Sequence, residues 1–428
     1  MGMKDKRPLT RFVNYTKRRI DEFLEKRVER MLRSDTALTE PLHAVEAQEE
    51  ERPVLERGGV DRWFLLFSVL LLCFGAIMSY SASSVYAQTE YGDSMYFFVR
   101  YLAYSIGAIA FTVPIVVFCT PQLWKVLGVA IYAFSIILLI LVLFVGQSGG
   151  GAQRWISIFG VFTIQPSEIA KTGVVMMLAL YLSVHEKEVT SLSKWGGNFK
   201  HGVLMPGVIC GIVILLVMLE KHISGILIIG MISVAVMFIG GTRLKWLGLM
   251  GGIVGAAGVM LVAFFDYAQA RVYAWLHLEE DPLGSAWQII QGIYAIGSGG
   301  LFGVGLGYSN QKYGYVSQPQ NDFIFTIICE ELGFIGAFLT VMLFVCLVFR
   351  GFRIAAKAPN RFCSIVVYGL SFKVALQAAL NIAVVTNSMP NTGISLPFFS
   401  SGGTSLILQI FEMGIILSIS RFSCRKQE

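Results

Sequence analysis

The chain reads as an all-α, polytopic membrane protein with about ten transmembrane helices and both termini in the cytoplasm. Three observations carry that reading. Its 428 residues are 55% hydrophobic and only 14% charged, whereas soluble domains run near ~25% charged. Ten apolar segments follow one another from Trp63 onward, each about long enough to cross ~30 Å of hydrocarbon. The loops between them divide the positive charge unequally, and cytoplasmic loops are the ones that collect Lys and Arg.

Residues 1–62 hold 14 of the 34 Lys and Arg residues and no apolar run that could form a signal peptide's core. Ile20, Phe23, Leu24, Val28, Met31 and Leu32 recur at helical spacing opposite Lys17, Arg18, Lys26, Arg27 and Arg30, the pattern of a basic amphipathic helix. Such a helix lies on the inner leaflet or contacts a soluble partner. The Glu-, Pro- and Arg-rich stretch 34–60 reads as a linker.

The apolar segments fall near 63–82, 96–118, 122–145, 166–184, 203–219, 223–240, 244–265, 323–349, 362–386 and 399–420. The fifth and sixth are short and must pack closely. An even number returns the chain to the side on which it began. On that map 27 Lys and Arg residues lie inside, against Arg100, Arg154, Lys221, Arg271 and Lys312 outside, with Lys171 and Lys373 within spans. The predicted organisation is a basic cytoplasmic region 1–62, a ten-helix membrane domain 63–420 with a large external loop 266–321, and a cytoplasmic tail 421–428. The net charge of +6 thus follows from membrane orientation, and nucleic acid is not an expected partner. The seven cysteines lie in or at the ends of apolar runs without CxxC spacing, and the five histidines are scattered, so neither a disulfide framework nor a metal site is expected.

Three external loops, Gly146 to Gln165, Asp266 to Asn321 and Asn387 to Phe398, each lead into a span whose N-terminus points outward. Unpaired N–H groups and positive dipole ends there favour anions. The glycine-punctuated stretch from Gly303 to Phe325 ends on Asp322 just before the eighth span. That acid is either a helix cap or a reactive carboxylate. Glu330 and Glu331 follow about 12–14 Å deeper on a continuous helix, and at most one can share the face of Asp322. Gln165, Ser167 and Glu168 open the fourth span with Lys171 one turn on. These two charges form either a structural pair or part of a polar pocket. Ser400, Ser401, Gly402 and Gly403 open the tenth span, suited to phosphate oxygens or to a close helix contact. Arg154 and Trp155 suit a phosphate and a sugar face, or an interfacial anchor.

Gly151-Ala-Gln-Arg-Trp, Gln165-Pro-Ser-Glu-Ile-Ala-Lys171, Asp281-Pro-Leu-Gly-Ser-Ala-Trp-Gln288, Gly305-Leu-Gly, Gln311-Lys-Tyr, Asn321-Asp-Phe-Ile-Phe, Glu330-Glu-Leu-Gly-Phe-Ile-Gly336 and Leu396-Pro-Phe-Phe-Ser-Ser-Gly-Gly-Thr-Ser405 resemble the signatures of the SEDS family (shape, elongation, division and sporulation). The match covers about 60–428 in the family's order. Gln311-Lys-Tyr leans toward the division-type FtsW and sporulation-type members over elongation-type RodA.

The resemblance implies a peptidoglycan glycosyltransferase of the bacterial cell membrane. It would polymerise lipid II, an undecaprenyl-pyrophosphate-linked disaccharide-pentapeptide, beside a class B penicillin-binding protein and other division or elongation membrane proteins. Asp322 matches the acid regarded as catalytic, with Glu330 as the second acid to consider. Arg154, Lys171 and Lys312 would neutralise the leaving pyrophosphate, and Trp155, Gln288 and Gln291 would contact sugars or loops. No cofactor is called for, and a divalent cation is left open. Ser317-Gln-Pro-Gln-Asn321 stands where the family often has Pro-Glu-Ala-His-Thr. Lys221-His222 stands where Pro-Asp is frequent, and Ser401 replaces a common Tyr. The competing readings are a lipid II flippase, which needs polar groups at both faces, and a non-catalytic scaffold for the transpeptidase.

Overall fold

The computed structural model describes residues 58–149, 152–158, 162–190, 197–264, 266–280, 286–316, 319–400 and 402–422. The amphipathic segment within residues 1–57, most of the linker, Asp281 to Ser285, Ser317, Gln318, Ser401 and the last six residues lie outside that set.

Helices build the molecule: α1 (Arg62–Tyr91), α2 (Tyr96–Phe118), α3 (Pro121–Val145), α4 (Pro166–Val184), α5 (Met205–Leu219), α6 (Ile223–Ile239), α7 (Leu244–Phe264), α8 (Asp266–Leu276), α9 (Trp287–Ser298), α10 (Ile324–Ala356), α11 (Arg361–Val385) and α12 (Gly403–Ser420). Among the described residues eight helices are long and apolar enough to cross a membrane, α5 counting with the π-helical turn Lys200–Leu204 before it. Two shorter apolar helices, α6 and α7, stand where the sixth and seventh apolar segments were expected. Local chemistry sets several ends. Asp61 caps α1 by accepting from the Phe64 N–H at 2.9 Å, Thr120 caps α3 ahead of Pro121, and Asn360 caps α11. The first helix runs past the expected 82 to Tyr91 and stops at Gly92, whose φ of 71° suits a left-handed C-cap.

The core lies where α4, α11 and α12 meet the other helices, with Val175, Leu178, Ile365, Val366, Phe399 and Ile416 fully enclosed. At the end of the bundle where α1 begins, Arg350 of α10 makes a bidentate pair with Asp61 at 2.8–3.0 Å. Arg361 approaches Glu186 there at 3.5 Å.

Three features of the opposite end differ from expectation. The segment after α3 is a small antiparallel meander of β1 (Gln147–Gly149), β2 (Ala152–Ile158) and β3 (Phe162–Ile164), with Gln147 opposite Trp155 and Ser157 opposite Thr163. Residues 266–321 contain two helices, α8 and α9. Third, α10 is not continuous: Gly333 has φ 66° and ψ −165°, a conformation essentially reserved for glycine. The chain after α9 inserts at this break. Val304 and Gly305 donate to the carbonyls of Glu330 and Glu331 at 2.9 and 3.0 Å, and Phe334 and Ile335 donate to Gly300 and Leu301. The backbone groups freed by the break are thereby re-paired, as membrane depth requires. A Cβ on Gly303 would lie 2.1 Å from the Glu331 carbonyl oxygen, so that contact admits no side chain.

Candidate active site

Asp322 sits two residues before α10, and Phe323 rather than Asp322 is the N-cap, without any side-chain cap bond. The cap reading of this acid does not hold. Its backbone is pinned instead. Asn381 of α11, itself 1% exposed, donates through Nδ2 to the carbonyls of both Asp322 and Ile394 at 2.7 Å. The carboxylate faces the segment between α11 and α12, where a Cβ on Gly393 would lie 3.6 Å from Oδ2. Burial pushes the Asp322 carboxyl above its ordinary range, opposed by a backbone hydrogen bond and by the charge of Arg271.

Arg271 comes from α8, and its Nη1 donates to the Asn391 carbonyl at 2.7 Å. Trp275, one turn on, donates to Asn387 at 2.9 Å, and Ser224 at the start of α6 donates to Thr392. Residues 387–394 therefore tie α6, α8 and α11 around the acid. Beside this segment a cavity of about 490 Å³ opens between α5, α6 and α7. Arg154 and Arg271 both line it, while Ile214, Ile226, Val254 and Gly258 make its wall apolar. Two guanidinium groups at an apolar cavity suit an amphiphile with an anionic head.

Arg154 is carried by β2 and donates through Nη2 to the Lys221 carbonyl at 2.8 Å. Around it Ser167 Oγ lies 3.1 Å from His222 Nδ1. Burial, with Arg154 second, pushes His222 down to about 3, so this imidazole is neutral at physiological pH. Glu220 is 1% exposed. Burial pushes its carboxyl up to about 8 against the pull of Arg154, and neither oxygen has a hydrogen-bond partner.

Several expected residues already have charged or hydrogen-bonding partners. Lys171 pairs with Glu168 at 2.7 Å, both buried, and both lie within electrostatic reach of His222. Lys312 is 3% exposed; it pairs with Glu331 at 3.1 Å and donates to the Gly307 carbonyl. Glu330 accepts from Ser309 Oγ and from the Asn310 N–H, so it anchors the inserted loop. The break at Gly333 lies beyond Glu330, so the helical rise that sets Glu330 deeper than Asp322 still holds.

Trp155 is half-buried on β2. Gln165 is the N-cap position of α4 without a side-chain cap bond. Gln288 and Gln291 lie one turn apart on α9, which packs Gly292 against Phe323, next to the acid. Ser400 is buried, Gly402 is the N-cap of α12, and Gly403 packs against the Tyr104 ring. Thr404 Oγ1 donates to the Thr163 carbonyl, joining this end of α12 to the meander. Sequence reasoning passed over Arg271 and Asn381. The available signals were an Arg in an 11-residue helical stretch and a lone Asn in an apolar span. Among the described residues no three His, Cys, Asp or Glu side chains stand together as a metal site would need.

The family model described as cell cycle protein, that of FtsW, RodA and SpoVE, matches residues 62–425. The chain is 41% identical over 369 residues to stage V sporulation protein E of Bacillus subtilis (strain 168), covering 85% of this chain and 97% of that protein. It is 38% identical over 363 residues to the probable peptidoglycan glycosyltransferase FtsW of Trichlorobacter lovleyi, covering 84% and 93%. The fold resembles a chain of a peptidoglycan synthase complex whose structure concerns coordination of polymerization and crosslinking, with TM-score 0.68, 24% identity and coverage of 85% and 98%.

Proposed function

The chain belongs to the cell cycle protein family of FtsW, RodA and SpoVE, and on that premise we propose that it is a peptidoglycan glycosyltransferase that polymerises lipid II at the outer face of the cytoplasmic membrane. The observation that carries this reading is that Asp322, an acid with no cap duty, lies within electrostatic reach of Arg271, which also lines the apolar cavity that Arg154 reaches. An amphiphilic donor would lay its lipid chain along the cavity wall and its pyrophosphate toward the two arginines.

Asp322 then takes the proton of the acceptor sugar's 4-hydroxyl. The oxygen attacks the donor's anomeric carbon, the bond to the lipid pyrophosphate breaks, and the proton leaves Asp322 for solvent. Negative charge grows on the departing pyrophosphate, where fixed cations stabilise it best. Arg154 and Arg271 fill that role here. Lys171 and Lys312 are already paired to carboxylates and serve the framework. Both termini face the cytoplasm in this proposal, which the charge bias supports, and a class B penicillin-binding protein is the proposed partner.

The test is incubation of the purified chain with lipid II, alone and with its transpeptidase, followed by gel analysis of glycan strands. Strands dependent on Asp322 support the reading. Lipid II translocation without strand synthesis by wild type would replace it with the flippase.

A further inference from the structure

Between α4, α11 and α12 four charged side chains lie buried together. Glu168 and Lys171 of α4 pair at 2.7 Å, and Lys373 of α11 pairs with Glu412 of α12, with exposures of 2% and 0%. Lys171 is within electrostatic reach of both Lys373 and Glu412. Two acids and two bases leave the group neutral. The second pair has no part in the reaction as described above. Buried ion pairs are poor stabilisers, since desolvation offsets their attraction, and their best-attested use is to fix register.

What Glu412 fixes can be read from its contacts. One oxygen, Oε1, accepts both from Lys373 Nζ of α11 and from Thr172 Oγ1 of α4. A single carboxylate of α12 therefore holds two other helices at one depth. Thr172 adjoins Lys171, and about 7.5 Å up the same helix, at ~1.5 Å per residue, stands Ser167 with its contact to His222. Lys373, Gln377 and Asn381 recur every fourth residue on one buried face of α11. Asn381, about 12 Å from Lys373 by the same rise, is the residue that holds the Asp322 and Ile394 carbonyls. Sliding α11 against α4 would carry Asp322 away from the Arg154 end of the site. The second oxygen of Glu412 is buried without a partner, a cost that packing alone would not retain.

We propose that Glu412, through Lys373 and Thr172, is a positioning residue that sets α4 against α11 and thereby the acid against the cationic end of the site. The catalytic half of this inference rests on the proposed glycosyltransferase reading; the geometric half does not.

The decisive variant is the double substitution Lys373→Met/Glu412→Gln, which removes both charges together and leaves none stranded. In the full chain it is expected to fold and to lower kcat per folded molecule at least about tenfold, since misplacement by ~1 Å can cost about 100-fold. KM should stay within about twofold. Thr172→Val, which removes one bond and keeps the ion pair, should show a smaller loss of the same kind and serves if the double variant does not fold. Full turnover per folded molecule in whichever variant folds would overturn the proposal. Spin labels on cysteines at Thr163 and Thr386, in the full chain without native thiols, give a readout independent of lipid II. A distance distribution shifted or broadened relative to wild type supports the clamp, and an unchanged one overturns it. If wild type makes no glycan, the distance result still decides the geometry, and the glycosyltransferase reading alone has failed.

Discussion

The side-chain amide of Asn381 donates a 2.7 Å hydrogen bond to the backbone carbonyl of Asp322 and an equal one to Ile394. One buried amide thus joins the start of α10 to the segment before α12. Replacing it by Leu strands two buried carbonyls, each at a cost of about 1–3 kcal/mol. Asn381→Leu is expected to unfold at lower temperature and, where folded, to lose turnover because Asp322 is no longer held. Thermal unfolding and polymerisation measured on the same preparation check this, and unchanged stability would show that the two bonds carry no weight.

Asp322 bears no cap bond, so neither Asn nor Ala there should destabilise the fold. Both should abolish its role as a base. Asp322→Asn and Asp322→Ala are expected to melt with wild type and to polymerise at least ~100-fold more slowly, the lower end of a general base's contribution. Because burial raises its pKa, wild-type kcat/KM should fall with acid at a pH above the ordinary Asp value of ~3.9. Asn sustaining more than about a tenth of the rate would return the residue to a structural role.

Glu220 makes stability fall with rising pH. Its carboxyl holds a proton up to about 8 in the folded chain, against ~4.3 unfolded. Between those values the folded state binds more protons, so its contribution is full below the unfolded value and is lost as pH rises through the folded one. Glu220→Gln cannot ionise and should escape that decline. The variant is expected to melt with wild type near pH 5 and above it near pH 9, the gap limited to a few kcal/mol at ~1.4 kcal/mol per pH unit. Parallel melting curves across that range would contradict the burial argument.

Arg154 and Lys312 should separate by phenotype. Arg154→Ala removes a cation at the cavity and should slow polymerisation by about 1.5 to 3 kcal/mol of lost charge-assisted hydrogen bonding, with the fold intact. Lys312→Met leaves Glu331 buried without its base and should cost about 3–5 kcal/mol of stability. Recovery of folded protein in detergent and strand synthesis per folded molecule distinguish them. A well-folded, slow Lys312→Met would place that lysine in the chemistry.

Composition and charge distribution alone determined that this chain is a multi-span helical membrane protein, and the ten apolar segments became helices near their expected places. The reason is physical: a span in hydrocarbon must be long, apolar and internally hydrogen-bonded, and all three conditions are written locally. The SEDS-like motifs likewise marked Asp322 and Arg154. Which groups meet was decided only by the tertiary structure. Lys171, Lys312 and Arg154 look alike as polar cations near one face, yet two of them are neutralised by Glu168 and Glu331 and the third reaches the cavity. Asn381 and Arg271 gained their roles from contacts across 59 and 120 residues of chain, which no local pattern encodes. Gly333 ends one helix and starts another only because residues 299–305 arrive to pair the backbone that the break exposes.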